Sequence, residues 1–150
     1  MKENSMKKIN IRKMTEQDIE GVLEIDRKIK GNDRATTYTM IPTNYVGGEL
    51  DVSVVAEVDN RIVGFLLGRI TKSTYEIGNS YLIELIGVDP KYRRQKVGKS
   101  LVSYFEKACC EKGASNIRIL VNWQDWWLLS FLSSLEFTRG EMTEFVKPLY

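Results

Sequence analysis

VDPKYRRQKVGKSLV, residues 88–102, joins an apolar run to an amphipathic one across a short basic turn. A strand ending at Val88, a turn, and a helix opening near Gly98 fit this pattern. Lys91, Arg93, Arg94, Lys96 and Lys99 are basic, and no residue from Lys91 to Lys99 is acidic. These charges fall where a new helix still carries unpaired backbone N–H groups, so the stretch reads as an anion site and phosphate is the natural guest. On charge alone the segment would be a solvated basic turn; the strand before it and the Gly-containing helix after it favour the site.

Upstream, Tyr81 to Val88 is an apolar strand interrupted by Glu84 and Gly87. Val52, Val54, Ala56 and Val58 alternate, Asp59-Asn60 suits a tight turn, and Ile62 to Ile70 is almost continuously apolar, which together make a hairpin with a doubly buried second strand. Lys8 to Arg12 alternates as a short strand. Thr15 stands three residues before Asp18, a capping-box spacing that opens a helix carrying Ile19, Val22, Leu23 and Ile29 on one face. Lys30 to Gly48 is polar, with Gly31, Pro42 and Gly47-Gly48, and fits either a second helix or a long loop able to cover a cleft. A polar connection occupies the region of Lys72 to Asn79.

Downstream, Val97, Leu101, Tyr104, Phe105 and Ala108 share a helix face, and Gly113 stands at the expected left-handed C-terminal cap. Ile117 to Val121 reads as a strand, Asp125 to Leu135 as an apolar helix, and Thr143 to Leu149 as a final strand ended by Pro148. The order predicts an α/β layer fold with helices packed on a central sheet.

At 150 residues the chain suits one domain, 1–150, with a real core. Its composition is 43% hydrophobic and 28% charged, and 22 basic against 20 acidic residues leave a net charge of +2. That balance, with a single basic loop, argues against a nucleic-acid partner. No apolar stretch reaches the ~20 residues of a membrane span, and MKENSMKKIN has no apolar run behind it to make a signal peptide. The chain contains no His, which removes the usual general base and metal ligand, and no metal site is expected. Cys109 and Cys110 are adjacent within a helix and read as reduced structural residues of a cytoplasmic protein.

The words VVAEVDNRIVGFLLG (54–68), LIELIGVDPKYRRQKVGKSLV (82–102) and LLSFLSSLEF (128–137) together resemble the GNAT superfamily of N-acetyltransferases over the whole chain. The resemblance implies a mixed, mostly antiparallel central sheet of about six to seven strands flanked by about four helices. It also implies acetyl-CoA as co-substrate. The pyrophosphate loop of the family maps onto Arg93, Arg94, Gln95, Lys96, Val97, Gly98, Lys99 and Ser100, with Lys96 where the family's first Gly normally sits. The strand amides that pair with the pantetheine arm and face the thioester carbonyl map onto Ile86, Gly87 and Val88, and Gly87 suits the bulge that splays this strand.

Further roles follow from the same likeness. Glu84, the one carboxylate in an apolar strand, is the candidate general base, with desolvation expected to raise its pKa. Leu132 occupies the place of the family's usual general acid, a Tyr, so that step falls to water, to Tyr81 or Tyr104, or to the substrate's own proton. Asp125 matches the usual pantetheine-contacting Asn, and Phe131, which opens the run matched to the family's last helix, is a further candidate for cofactor binding. Trp123, Trp126 and Trp127 at the start of this helix could wall the acyl or acceptor pocket, but the helical spacing of Leu128, Phe131, Leu132 and Leu135 favours core and interface packing. The expected activity is transfer of acetyl from acetyl-CoA to a primary amine, on a small molecule or on a protein or peptide, by direct attack in a ternary complex. The alternative is an acyl-CoA-binding sensor or interaction module with little or no catalysis. A homodimer through the last helix and strands is compatible with the sequence.

Overall fold

The computed structural model describes residues 8–31, 52–71 and 78–150. The expected cover over Lys30 to Gly48 and the polar connection after Lys72 lie largely outside the described residues. The described chain separates into two compact units, one ending at Leu120 and the other beginning at Val121.

In the first unit five strands form one sheet: β1 (Asn10–Lys13), β2 (Val54–Val58), β3 (Arg61–Thr71), β4 (Asn79–Val88) and β5 (Ala114–Ile119), in the order β1-β2-β3-β4-β5. All pairings are antiparallel except β4 with β5. Helix α1 (Ile19–Lys30) connects β1 toward β2, and α2 (Val97–Glu111) is the crossover between the two parallel strands. The mixed α/β class holds. Five strands and three α-helices are seen among the described residues, against the six to seven strands and four helices expected.

Local chemistry accounts for these elements. Asp59 and Asn60 both take positive φ, 49° and 64°, which closes the β2–β3 hairpin between Val58 and Arg61. The Thr15 N–H donates to Asp18 Oδ2 at 2.8 Å, the expected capping contact, and a 3-10 turn at Glu16–Asp18 leads into α1. Gly113, at φ 78°, ends α2 with its N–H donating to the Cys110 carbonyl at 3.0 Å.

From Gly64 to Gly68 the alternation of β3 divides the core. Phe65 and Leu67 join Met14, Val22, Ile25 and Val55 in a buried cluster, with Ile19, Leu23, Ile29 and Leu85 packed against it. On the opposite face Gly64 and Gly68 leave room for α2: a Cβ at Gly64 would stand 2.8 Å from Val97 Cγ1, and one at Gly68 would enter the Phe105 ring. Val97, Leu101, Val102, Phe105 and Cys109 are buried along this contact. The two glycines seat α2 directly on the sheet.

The second unit contains α3 (Trp126–Ser134), capped by Asp125, whose Oδ1 accepts from the Leu128 N–H at 3.1 Å. Residues 143–149, expected as a strand, form none; Phe145, Val146 and Leu149 are exposed. A strand needs a hydrogen-bonded neighbour, and no other strand lies in this unit among the described residues. Pro148 also lacks an N–H to offer.

Candidate active site

The sheet opens between β4 and β5. β4 pairs with β5 from Asn79 to Ile83, where the ladder stops at Ile119, while β4 continues along β3 to Val88 opposite Gly64. Glu84, Leu85, Ile86, Gly87 and Val88 therefore have strand pairing on the β3 side only, among the described residues. Backbone groups on the other side of this stretch are free to bind an extended ligand.

A bulge sits at the fork, but at Glu84 rather than Gly87. Leu67 pairs with Leu85 and Gly68 with Ile83, which leaves Glu84 as the extra residue. Gly87 pairs regularly with Phe65; a Cβ there would lie 2.7 Å from Phe65 Cε1 and 3.1 Å from Ile29 Cδ1. Packing beneath α1, and not the bulge, is what requires glycine at this position.

Val88 leads to Asp89, which fixes the turn. Its Oδ1 accepts from the Lys91 N–H at 3.0 Å, its Oδ2 accepts from Lys28 Nζ of α1 at 3.0 Å, and its own N–H donates to the Val63 carbonyl at 2.8 Å. Burial would raise this carboxyl, but the Lys91 N–H and the Lys28 ammonium outweigh it and hold the group below its ordinary value. A 3-10 turn at Pro90–Tyr92 follows.

The residues that the resemblance maps onto a phosphate loop then lie at the start of α2. Arg94 and Lys96 take left-handed backbone conformations, at φ 63° and φ 64°. Lys96 is the N-cap, with no side-chain cap on the helix, and its carbonyl accepts the Ser100 N–H at 3.0 Å. The N–H groups of Val97, Gly98 and Lys99 precede that bond and are left for an anion. Arg93, Arg94, Gln95, Lys96 and Lys99 have exposed side chains. The ammonium and guanidinium groups among them have no ion-pair partner among the described residues. Lys96 thus occupies the glycine position in the glycine conformation, at a cost of about 1 kcal/mol.

Glu84 is not desolvated. Its side chain is exposed and ion-paired to the Arg69 Nε of β3. The sequence shows a carboxylate in an apolar strand, but the bulge turns that side chain out of the two-residue pattern. Of the two alternative acids, Tyr81 is buried within the closed part of the β4–β5 ladder, and burial raises its phenol pKa. Tyr104 lies on an outer face of α2, 40% exposed. In the second unit, Asp125 is occupied as the cap of α3, Phe131 is half-buried, and Leu132 is buried.

Three features escaped the sequence reading: the Asp89–Lys28 tie, the Glu84–Arg69 pair and the Gly64/Gly68 seat. Only the last left a signal, two glycines an even number of residues apart in one strand. Among the described residues no group of His, Cys, Asp and Glu is arranged for a metal ion, and no helix is long and apolar enough to cross a membrane.

A strand with an open edge that runs into an uncapped, basic helix start defines a class: proteins that hold an extended, phosphate-bearing cofactor against a sheet. The family is that of the acetyltransferase (GNAT) domain, whose model matches residues 49–138, and the chain belongs to it. It is an acetyl-CoA-dependent acetyltransferase. No curated protein matches the chain.

Solved structures share the fold at low identity. The aminoglycoside acetyltransferase AAC(6')-Iy, in complex with the bisubstrate analog CoA-S-monomethyl-acetylneamine, superposes with a TM-score of 0.80 at 17% identity, covering 95% of this chain and 99% of that one. The aminoglycoside acetyltransferase meta-AAC0020, from an uncultured soil metagenomic sample and bound to sisomicin, gives 0.75 at 20%, covering 95% and 97%. A transcriptional regulator from Bacillus halodurans C-125 gives 0.78 at 23%, covering 95% and 100%.

Proposed function

We propose that the protein transfers the acetyl group of acetyl-CoA to a primary amine by direct attack in a ternary complex. The observation that carries this reading is the continuity of the open β4 edge, Glu84–Val88, with the free N–H groups at Val97, Gly98 and Lys99. The first aligns with an extended arm; the second, with Arg93, Arg94, Gln95, Lys96 and Ser100 around it, suits a pyrophosphate. One amide among Ile86, Gly87 and Val88 facing the thioester carbonyl would stabilise the tetrahedral oxyanion.

The amine nitrogen attacks the carbonyl carbon, the carbon–sulfur bond breaks as the oxyanion collapses, and CoA leaves as thiolate or thiol. A neutral amine is required: deprotonating a lysine-type ammonium of pKa ~10.4 at pH 7 costs ~4.6 kcal/mol, against ~1.4 kcal/mol for an α-amine near ~8. Glu84 is the candidate acceptor of that proton on position alone, at the fork where the open edge begins. Neither Tyr81 nor Tyr104 is at this edge, so protonation of the leaving sulfur is assigned to water or to the amine's own proton.

The acceptor is proposed to be a small amine-bearing molecule. Support comes from the aminoglycoside complexes of structures with the same fold. The test is acetyl-CoA binding by calorimetry alongside CoA release with a panel of amines. Turnover on at least one amine, with kcat/KM falling about 10²-fold or more in Glu84→Gln, supports the enzyme with its base. Unchanged turnover in Glu84→Gln removes Glu84 from the mechanism. Tight binding without turnover on any amine favours the sensor reading, to which the buried Leu132 in place of an acid lends weight.

A further inference from the structure

The fork between β4 and β5 carries a pair of opposite charges. Arg69 is the one charged residue from Ile62 to Thr71, and Glu84 is the one charged residue from Asn79 to Val88. Arg69 pairs with Leu82 in the ladder, and the Glu84 side chain, leaving from the bulge, reaches the Arg69 Nε. Arg69 is half-buried and Glu84 exposed, a setting in which an ion pair adds little to stability.

The position of the pair suits an acceptor. Gly68 lies against Phe105 of α2, so the next residue, Arg69, projects from the opposite face of the sheet, beyond the buried Phe65 and Leu67. The open β4 edge runs from Val88, beside the start of α2, back to Glu84, and an extended arm laid from that start reaches Glu84 last. Both charges therefore stand at the acyl end of the edge, on the face away from α2. Direct attack needs the amine to arrive from a side that the cofactor does not fill.

The pair is also incompletely satisfied. Arg69 engages Glu84 through its Nε alone and Glu84 answers through its Oε1 alone. Among the described residues the Arg69 Nη groups and Glu84 Oε2 have no further partner, which leaves a fork of donors beside an acceptor. A guanidinium fork takes a carboxylate through parallel bonds, and a carboxylate oxygen takes an ammonium. Side by side, these groups match a molecule whose amine and carboxylate share one carbon. A polyamine would instead press a second cation against Arg69.

We propose that Arg69 is a specificity residue that binds the carboxylate of a zwitterionic acceptor, an α-amino acid, while Glu84 holds its amine. The inference deepens the acetyl-transfer reading and rests on it. The ammonium proton passes to Glu84 Oε2, the neutral nitrogen attacks the thioester carbonyl, and the acceptor's carboxylate stays on Arg69 throughout.

CoA release by the full chain is measured with the common amino acids, each against its α-amide, and with spermidine as a polycation. At least one amino acid should give a kcat/KM about tenfold or more above its α-amide and above spermidine. The amide's amine is the less basic of the two, so this preference cannot come from basicity. Arg69→Gln should bring the acid-to-amide ratio to about one, chiefly through the KM of the amino acid, and Arg69→Lys should keep part of it.

A preference for the α-amides or spermidine over every amino acid overturns the proposal, as does a ratio unchanged in Arg69→Gln. Binding of acetyl-CoA with no turnover of any amine would instead sink the acetyl-transfer reading. Calorimetric titration of amino acids onto protein saturated with acetyl-CoA then decides the subsite: binding that Arg69→Gln removes upholds it, and no binding overturns it. Matched thermal melts establish that the variants fold, and the ratio in the unaltered protein needs no variant.

Discussion

Lys96 shows how one residue can carry a conformation its type disfavours. It sits at φ 64°, ψ 20° at the N-cap of α2, where glycine carries no Cβ penalty. Lys96→Gly is expected to raise stability by about 1 kcal/mol while keeping the backbone N–H, and a thermal melt beside an acetyl-CoA titration checks both. The adjacent cysteines differ in kind. Cys109 is buried, and burial, with the neighbouring Cys110 adding to it, pushes its thiol up to about 12, whereas Cys110 is exposed. A thiol reagent at pH 8 should therefore label one equivalent rapidly in the folded protein and two after unfolding. Rapid labelling of both would contradict the buried placement.

Elements are positioned by close contacts that a residue pattern shows only in part. α2 lies on Gly64 and Gly68 of β3, so Gly64→Ala, which would bring a Cβ 2.8 Å from Val97, should cost about 1–3 kcal/mol and raise the KM for acetyl-CoA by shifting the helix start. Comparing denaturation midpoints and KM for both substrates tests this; an effect on the acceptor KM alone would refute it. The turn between β4 and α2 is tied to α1 through Asp89 and Lys28. Lys28→Met is expected to raise the acetyl-CoA KM several-fold with little change in kcat, and Lys28→Arg to restore it.

At the scale of the whole molecule, carboxylates join distant parts of the chain. Arg12 of β1 donates to both oxygens of Asp18, at 2.7 and 2.8 Å, and to Glu57 of β2 at 3.2 Å. Burial works to raise the Asp18 carboxyl, but the Arg12 bonds and the Thr15 N–H lower it on balance, and Asp89 is lowered in the same sense. Groups whose folded pKa lies below the unfolded value of 3.8 add stability above that pH and lose it as pH falls through the folded pKa. The denaturation midpoint should thus be flat from pH 7 to 5 and drop below about pH 4. Arg12→Ala, which leaves Asp18 buried without its cation, should cost about 2 kcal/mol and shrink that acid dependence.

The order of strands and helices up to Ile119, the hairpin turn, both helix ends and the basic turn into α2 were legible because each depends on chemistry within a few residues: alternation, a capping pair, a turn dipeptide, a run of cations before a glycine-bearing helix. The family likeness followed from those same local words. What the tertiary structure decided is where the strands stop pairing. The bulge fell on Glu84 rather than Gly87 because register is set by partners in β3, and Gly87 is demanded by Phe65 and Ile29, residues far away in sequence. The same displacement turned Glu84 outward to Arg69, although its apolar neighbours suggested burial. Residues 143–149 carry strand-like side chains yet form no strand, since alternation supplies a face but not a hydrogen-bonding neighbour. The sequence by itself determined the basic, glycine-bearing start of α2; the three-dimensional pairing determined which strand edge lies open beside it, because hydrogen-bond partners and burial are properties of the assembled sheet.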